Sequence, residues 1–256
     1  MMEKERVISL LKRESLLRLV EQGKRVDGRT PTQYRPLSVE VGTIKSAEGS
    51  ALVRLGETAV LVGVKPKKMP PFPDSPDEGA LIVGAELRPL ASPTFEPGPP
   101  DENSIELSRV VDRGLRESKC LDFRELCVEP GKEVWVIYVD IHVLDHAGNL
   151  IDASMLASVA ALLNMKGVDD PAWKKDFSLK HKPVSVTVAK LGNSLLADPS
   201  LEEEEAMDSR ITFCIREDGV ISAIQKGGSG FLEKEEVLRA EELAFSCAEE
   251  LRKVLG

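Results

Sequence analysis

The sequence predicts a layered α+β fold made of two similar halves. Three observations carry that reading. β-type segments are followed by helical ones, and the pattern then restarts near residue 184. Residues 153–163 are apolar on all sides, as in a helix packed inside a layered sandwich. Residues 235–255 close the chain as a long amphipathic helix.

Residues 3–22 have helical spacing, with Val7, Leu10, Leu11, Leu17 and Val20 between charges, and Gly23 is a natural stop. Arg25-Val26-Asp27-Gly28-Arg29 reads as a polar turn. Leu37–Val41 and Ala51–Leu55 alternate, Gly56-Glu57-Thr58 turns, and Ala59–Val64 returns as a strand. Residues 65–76 and 93–100 are rich in proline and are expected as surface loops, because proline breaks central strands and helix interiors. Ala80–Ala85 lies between them as a short strand. Glu133–Leu144 is the strongest strand signal, apolar on both faces and so expected to be covered on both. The segment 168–182 is a charged connector and the expected seam, which divides the chain into 1–178 and 179–256. Val184–Leu191 starts the second half, Ile211–Ile215 and Val220–Ile224 form a hairpin, and Gly227-Gly228-Ser229-Gly230 is a tight turn.

Composition narrows the function. The chain has 256 residues, 42% hydrophobic and only 4% aromatic, so its core must be built from Val, Leu, Ile and Ala. A net charge of −9 argues against a surface that coats nucleic acid, but leaves room for one focused basic groove. The four cysteines show neither CxxC spacing nor a nearby histidine, so free thiols in a cytoplasmic protein are expected and a zinc site is not. No apolar run reaches transmembrane length, so no membrane association is expected.

The basic groove has one candidate. Ser104 to Glu117 reads as an amphipathic helix whose apolar contacts come from Ile105, Leu107, Val110, Val111 and Leu115. Arg109, Arg113 and Arg116 follow i, i+4, i+7 and so share a face. Three stacked guanidiniums can grip a run of phosphates bidentately. The competing reading is a solvated ion-pair face, with Asp112–Arg116 and Arg113–Glu117 as i, i+4 partners. The acidic run from Asp198 to Asp208 reads as a solvated charge run in preference to a divalent-metal site. His142, His146 and His181 are scattered, and no nucleophile, zinc-protease or dinucleotide motif accompanies them.

Several stretches together resemble the RNase PH family of phosphorolytic ribonucleases. They are Arg25-Val26-Asp27-Gly28-Arg29, Gly49 to Gly56 with Thr58, Ile105-Glu106-Leu107-Ser108-Arg109, the strand ending at Asp145, and Leu195 to Asp208. The resemblance spans about residues 20–250. It is greatest to the branch of non-catalytic ring subunits of the archaeal exosome, through the added N-terminal helix, the proline-rich loop before Ile105 and the run from Asp198 to Arg210.

The resemblance implies an RNase PH-like α+β fold of two βαβα-type halves. It also implies a hexameric ring in which this chain alternates with a catalytic RNase PH-type subunit, carries RNA-binding cap subunits, and passes single-stranded RNA to be cut from its 3′ end by phosphate. No cofactor is implied. Active members carry Gly-[Ser/Thr]-Arg-Thr where this chain reads Gly148-Asn149-Leu150-Ile151, and leucine removes the cation. Active members also carry two aspartates six apart in the acidic segment, and placing Asp198 and Asp208 in register puts Glu204 and Arg210 at those two positions. Glu102 and Asn103 stand where active members have two arginines. The phosphate pocket and the carboxylate are therefore expected to be lost together, leaving a chain that is not an enzyme on its own. What the resemblance carries over is RNA-backbone contact at Arg109 and Arg113, with Arg116 third. The alternatives are an active homohexameric exoribonuclease or nucleotidyltransferase, and a scaffold without RNA contact.

Overall fold

The computed structural model describes residues 2–173 and 178–255. Helix α1 (Met2–Glu21) precedes a first sheet of β1 (Leu37–Val41), β2 (Gly49–Leu55), β3 (Thr58–Met69), β4 (Ala80–Leu87), β5 (Cys127–Glu129) and β6 (Glu133–Asp145). Its spatial order is β1-β2-β3-β6-β4, with β5 on β6; β4 runs parallel to β6 and the other pairs are antiparallel. The parallel pair is made possible by a crossover that contains α2 (Glu102–Glu117). After α3 (Leu150–Leu163) comes a second sheet, β10-β9-β7-β8, from β7 (Val184–Leu191), β8 (Ser194–Ala197), β9 (Ser209–Ile215) and β10 (Ile221–Gly227). Helix α4 (Leu201–Ala206) joins β8 to β9, and α5 (Lys234–Lys253) ends the fold.

The all-apolar helix is where its composition demands. Every residue of α3 from Ile151 to Leu162 is buried, because α3 lies between β2 and β3 of one sheet and β7 of the other. One continuous core runs through α3 from the first sheet to the second and on to Ala240, Ala244 and Ala248 of α5. Leu16 and Val20 of α1 make a smaller core with Leu191, Leu196 and Ala206, which ties the N-terminal helix to the second sheet.

Helix α2 crosses from β4 in one sheet to β10 in the other. The Asp101 side chain caps it by accepting from the Ser104 N–H at 2.8 Å. Leu107, Val111 and Leu115 form its buried stripe. Gly114 lets α2 approach α3, since a Cβ there would stand 2.4 Å from Met155 Cε. Ile105, expected among the apolar contacts, is instead 45% exposed.

Four expectations need correction. β3 runs through Pro66, opposite Ile137, where a loop is expected. Pairing with β2 ends at Val64, so Pro66 sits where β3 has become an edge and a missing donor is tolerated. β6 is covered on both faces only in its first part; Asp140 is exposed and His142 half-buried beyond it. The polar turn is present, closed by the Gly28 N–H on the Arg25 carbonyl at 3.0 Å, but its flanking arginines are buried: Arg25 is 3% and Arg29 8% exposed. The acidic run is not solvated as a whole, because Asp198 and Glu203 are buried and only Glu202 and Glu205 face solvent. Of the connector 168–182, residues 174–177 lie outside the described residues.

Candidate functional site

The three arginines of α2 have different surroundings. Arg109 is exposed and makes no side-chain hydrogen bond or ion pair among the described residues. Arg113 is exposed and donates only to Gln225 Oε1 on β10, at 3.1 Å. Arg116 is committed: it pairs with Asp112 at 2.9 Å, donates to the Leu81 carbonyl at 3.0 Å, and lies 5.3 Å from the Phe123 ring. Phosphate could therefore take Arg109 at no cost and Arg113 for one weak hydrogen bond, whereas Arg116 would have to leave three partners. The i, i+4 geometry that suggested a stripe is present, but neighbouring elements have removed its third member.

Behind the same helix is a cleft of about 230 Å³, walled by Phe95, Asn103, Glu106, His146, Glu204 and Arg210 over an apolar floor that includes Leu107 and Leu150. Glu106 on α2 pairs with Arg210 on β9 at 3.1 Å, so the cleft's guanidinium is already engaged. The backbone N–H of Asn149, just before α3, donates to Glu204 Oε1 at 3.0 Å. This is the position a helix start offers to an anion, and the chain fills it with its own carboxylate. Burial pushes the Glu204 carboxyl up to about 7, against the pull of the Asn149 N–H and of Arg210. His146 is pushed down from its ordinary range by burial and by Arg35, so its ring is neutral near pH 7.

Leu150 does stand in the cleft without charge, but Glu204 keeps a carboxyl there. Asp208 is not in the cleft; it pairs with Arg13 at 2.6 Å and accepts from the Gly192 N–H. Asp198 is also outside it and fully buried, in a position no solvent-borne ligand reaches.

Asp198 is instead the centre of an ionic cluster that holds the acidic segment against the N-terminal loop. Its carboxylate accepts from Arg29 Nη1 (2.9 Å), Arg35 Nε (2.9 Å) and Nη2 (2.7 Å), the Arg35 backbone N–H (2.9 Å) and Asn149 Nδ2 (2.9 Å). Arg25 grips Glu203 with two hydrogen bonds, at 2.8 and 2.5 Å, and also donates to the carbonyls of Ala197 and Asp198. Five buried charges thus pair with one another, the only terms on which such groups are tolerated.

The cluster fixes α4, and α4 carries Glu204. Gly148 completes the arrangement with φ +98°, since a Cβ there would lie 2.5 Å from the Leu201 backbone nitrogen. Asp152 sits beneath, buried, accepting from Tyr34 Oη, Asn149 Nδ2 and Thr187; burial pushes it up to about 6. Sequence reasoning missed this cluster. Its signal was the pair of arginines flanking Asp27-Gly28, too polar to be read as interior. Among the described residues no three His, Cys, Asp or Glu side chains are grouped as metal ligands. All four cysteines are free thiols.

Two family models match in tandem: the 3′ exoribonuclease family, domain 1, over residues 33–166, and its domain 2 over residues 181–247. The chain is 50% identical to Exosome complex component Rrp42 of Pyrococcus horikoshii, over 97% of this chain and 95% of that protein. It is also 50% identical to the component of the same name from Methanopyrus kandleri, over 97% of each. Among solved structures it superposes on a chain of the Archaeoglobus fulgidus exosome with RNA bound to the active site. The TM-score is 0.92 and the identity 45%, covering 98% of this chain and 100% of that one. A chain of an archaeal exosome core gives a TM-score of 0.88 at 40% identity, covering 98% and 99%. With both family domains matched in order and half the residues shared along nearly the whole length, the chain belongs to the RNase PH family of 3′ exoribonucleases.

Proposed function

We propose that this chain is the non-catalytic RNase PH-type subunit of an archaeal exosome ring. It holds the RNA backbone through Arg109 and Arg113 and shapes the active site of a catalytic partner subunit with which it alternates. The single observation that carries the reading is the seating of Glu204 on the Asn149 N–H, in a cleft whose one guanidinium is already paired. Phosphorolysis needs a phosphate held by cations beside the scissile bond; here the Asn149 N–H is already taken by a carboxyl group of the chain itself. The unpaired Arg109 and weakly held Arg113 supply what remains useful, a short cationic rail on an otherwise acidic protein. Arg116 belongs to the same rail only as its structural anchor.

Partners in this reading are the catalytic subunit, RNA-binding cap subunits and single-stranded RNA, with no membrane and no cofactor. Its two units are 1–178 and 179–256, and its place is the cytoplasm, in keeping with the free thiols. One observation favours the alternative of an active homohexamer: a carboxyl that titrates near 7 is suited to general-acid work. The pairing of Arg210, the cation that lines the cleft, with Glu106 weighs against that use.

The test is the salt dependence of RNA binding by the assembled ring. Each arginine–phosphate contact contributes about 0.7 to the slope of log K against log salt on single strands. Arg109→Gln and Arg113→Gln should each lower the slope by roughly that amount, while Arg116→Gln leaves it in place. An unchanged slope in the double variant would return the arginines to the scaffold reading.

A further inference from the structure

The cleft that has no phosphate seat retains a shape and polarity of its own. Phe95 and His146 stack on each other, with ring centroids 5.3 Å apart and planes 14° from parallel. Both line the cleft, so one wall is a rigid aromatic surface. The floor is aliphatic, and the volume of about 230 Å³ suits one small molecule. Two carboxyl side chains, Glu106 and Glu204, and the Asn103 amide give the rim both acceptors and donors. The cleft's cation, Arg210, is shared with Glu106. An anion entering here meets two carboxyl groups and, among the described residues, one guanidinium whose Nη2 is already paired with Glu106. A purely aliphatic ligand would leave the second oxygen of Glu204 without a partner. A flat, uncharged heteroaromatic ring with donors and acceptors on its edge satisfies every wall at once.

We propose that this cleft binds an uncharged nucleobase, stacked on the Phe95–His146 pair with its polar edge toward Asn103 and Glu204. The site is separate from the arginines of α2, and it takes the base where they take the phosphates. Base–aromatic stacking tolerates any base because every base has a π face, so the preference is for a ring type over a sequence. Two sources share this chemistry, a free nucleoside and a base splayed from an RNA strand.

The experiment is titration of the full chain with adenosine, followed through the NMR signals of the His146 ring and the Glu204 carboxyl. Saturable shifts of both are expected. Phe95→Leu, which keeps the bulk and removes the ring, should weaken binding about tenfold, the scale of removing one stacking partner. Asn103→Ala, at an exposed position at the start of α2, tests the polar edge without touching the core. Inorganic phosphate should not displace adenosine. A parallel titration with a short oligoadenylate separates the sources: tighter adenosine binding identifies a free nucleoside, and tighter oligoadenylate binding a base of the strand. Absence of saturable shifts with either probe overturns the proposal. So does displacement by phosphate, or binding that survives both substitutions. None of these readouts involves ring assembly or RNA degradation, so failure here leaves the ring reading intact, and failure of that reading leaves this one standing.

Discussion

Asp198→Ala should destabilise the chain by about 3–5 kcal/mol, the range for removing one partner of a buried ion pair. The carboxylate is fully buried and receives hydrogen bonds from Arg29, Arg35 and Asn149. Alanine would leave the Arg35 guanidinium in the interior without its counter-charge and Arg29 with Asp27 alone, at 2.6 Å. For a chain of this size the change corresponds to roughly 10 °C in Tm. The comparison that gives the prediction its meaning is Asp208→Ala. Asp208 also pairs with an arginine, Arg13, at 2.6 Å, but both side chains are about one-third exposed, with Arg13 at 37% and Asp208 at 31%. Solvent-accessible pairs of this kind contribute roughly 0–1 kcal/mol. Thermal unfolding of the two variants side by side checks the point. Equal destabilisation would mean that the buried cluster is not what holds α4 and Glu204 in position.

The double substitution Arg109→Glu, Arg113→Glu should reduce RNA degradation by a ring containing this chain roughly a hundredfold at limiting RNA. That follows from about 1.5 kcal/mol for each charge-assisted hydrogen bond to phosphate that the substitutions remove. Ring assembly should be unaffected, since Arg109 has no side-chain partner among the described residues and Arg113 has only Gln225. Arg116→Glu should behave in the opposite manner. It would break the interactions with Asp112, the Leu81 carbonyl and the Phe123 ring, so its effect should appear first in stability. Degradation and sedimentation measured on the same preparations distinguish the two patterns. A double variant that degrades RNA at the original rate would mean that the rail does not touch the strand.

The features that follow from periodicity were legible in the sequence. The apolar circumference of α3 placed it between the sheets, and the alternation in β1 to β3 dictated a meander. The faces of α2 were legible too, because helical spacing alone sets which side chains share a side. What could not be read was the environment each face meets. Arg116 looks like Arg109 in a helical projection, and only the approach of β4 and Phe123 distinguishes them. The buried ionic cluster was invisible for a related reason. Arg25, Arg29 and Arg35 lie more than 160 residues from Asp198, and charged residues in a turn are ordinarily solvated. Pro66 misled in the other direction: a proline marks a break only where its missing N–H would have been used. The role of Glu204 depended on which acidic residue faces the cleft, and four consecutive glutamates on a short helix give no answer until the capping box of α4 sets their phase.

Whether this member of an exoribonuclease family cleaves RNA by itself can be measured directly. The purified chain is given single-stranded RNA with phosphate and magnesium, and release of nucleoside diphosphates from the 3′ end is followed. No release from the chain alone, and release on adding an RNase PH-type catalytic subunit, is the predicted result. Release by the chain alone that disappears in Glu204→Gln would contradict the non-catalytic role, and would make the buried carboxyl of this cleft a working acid.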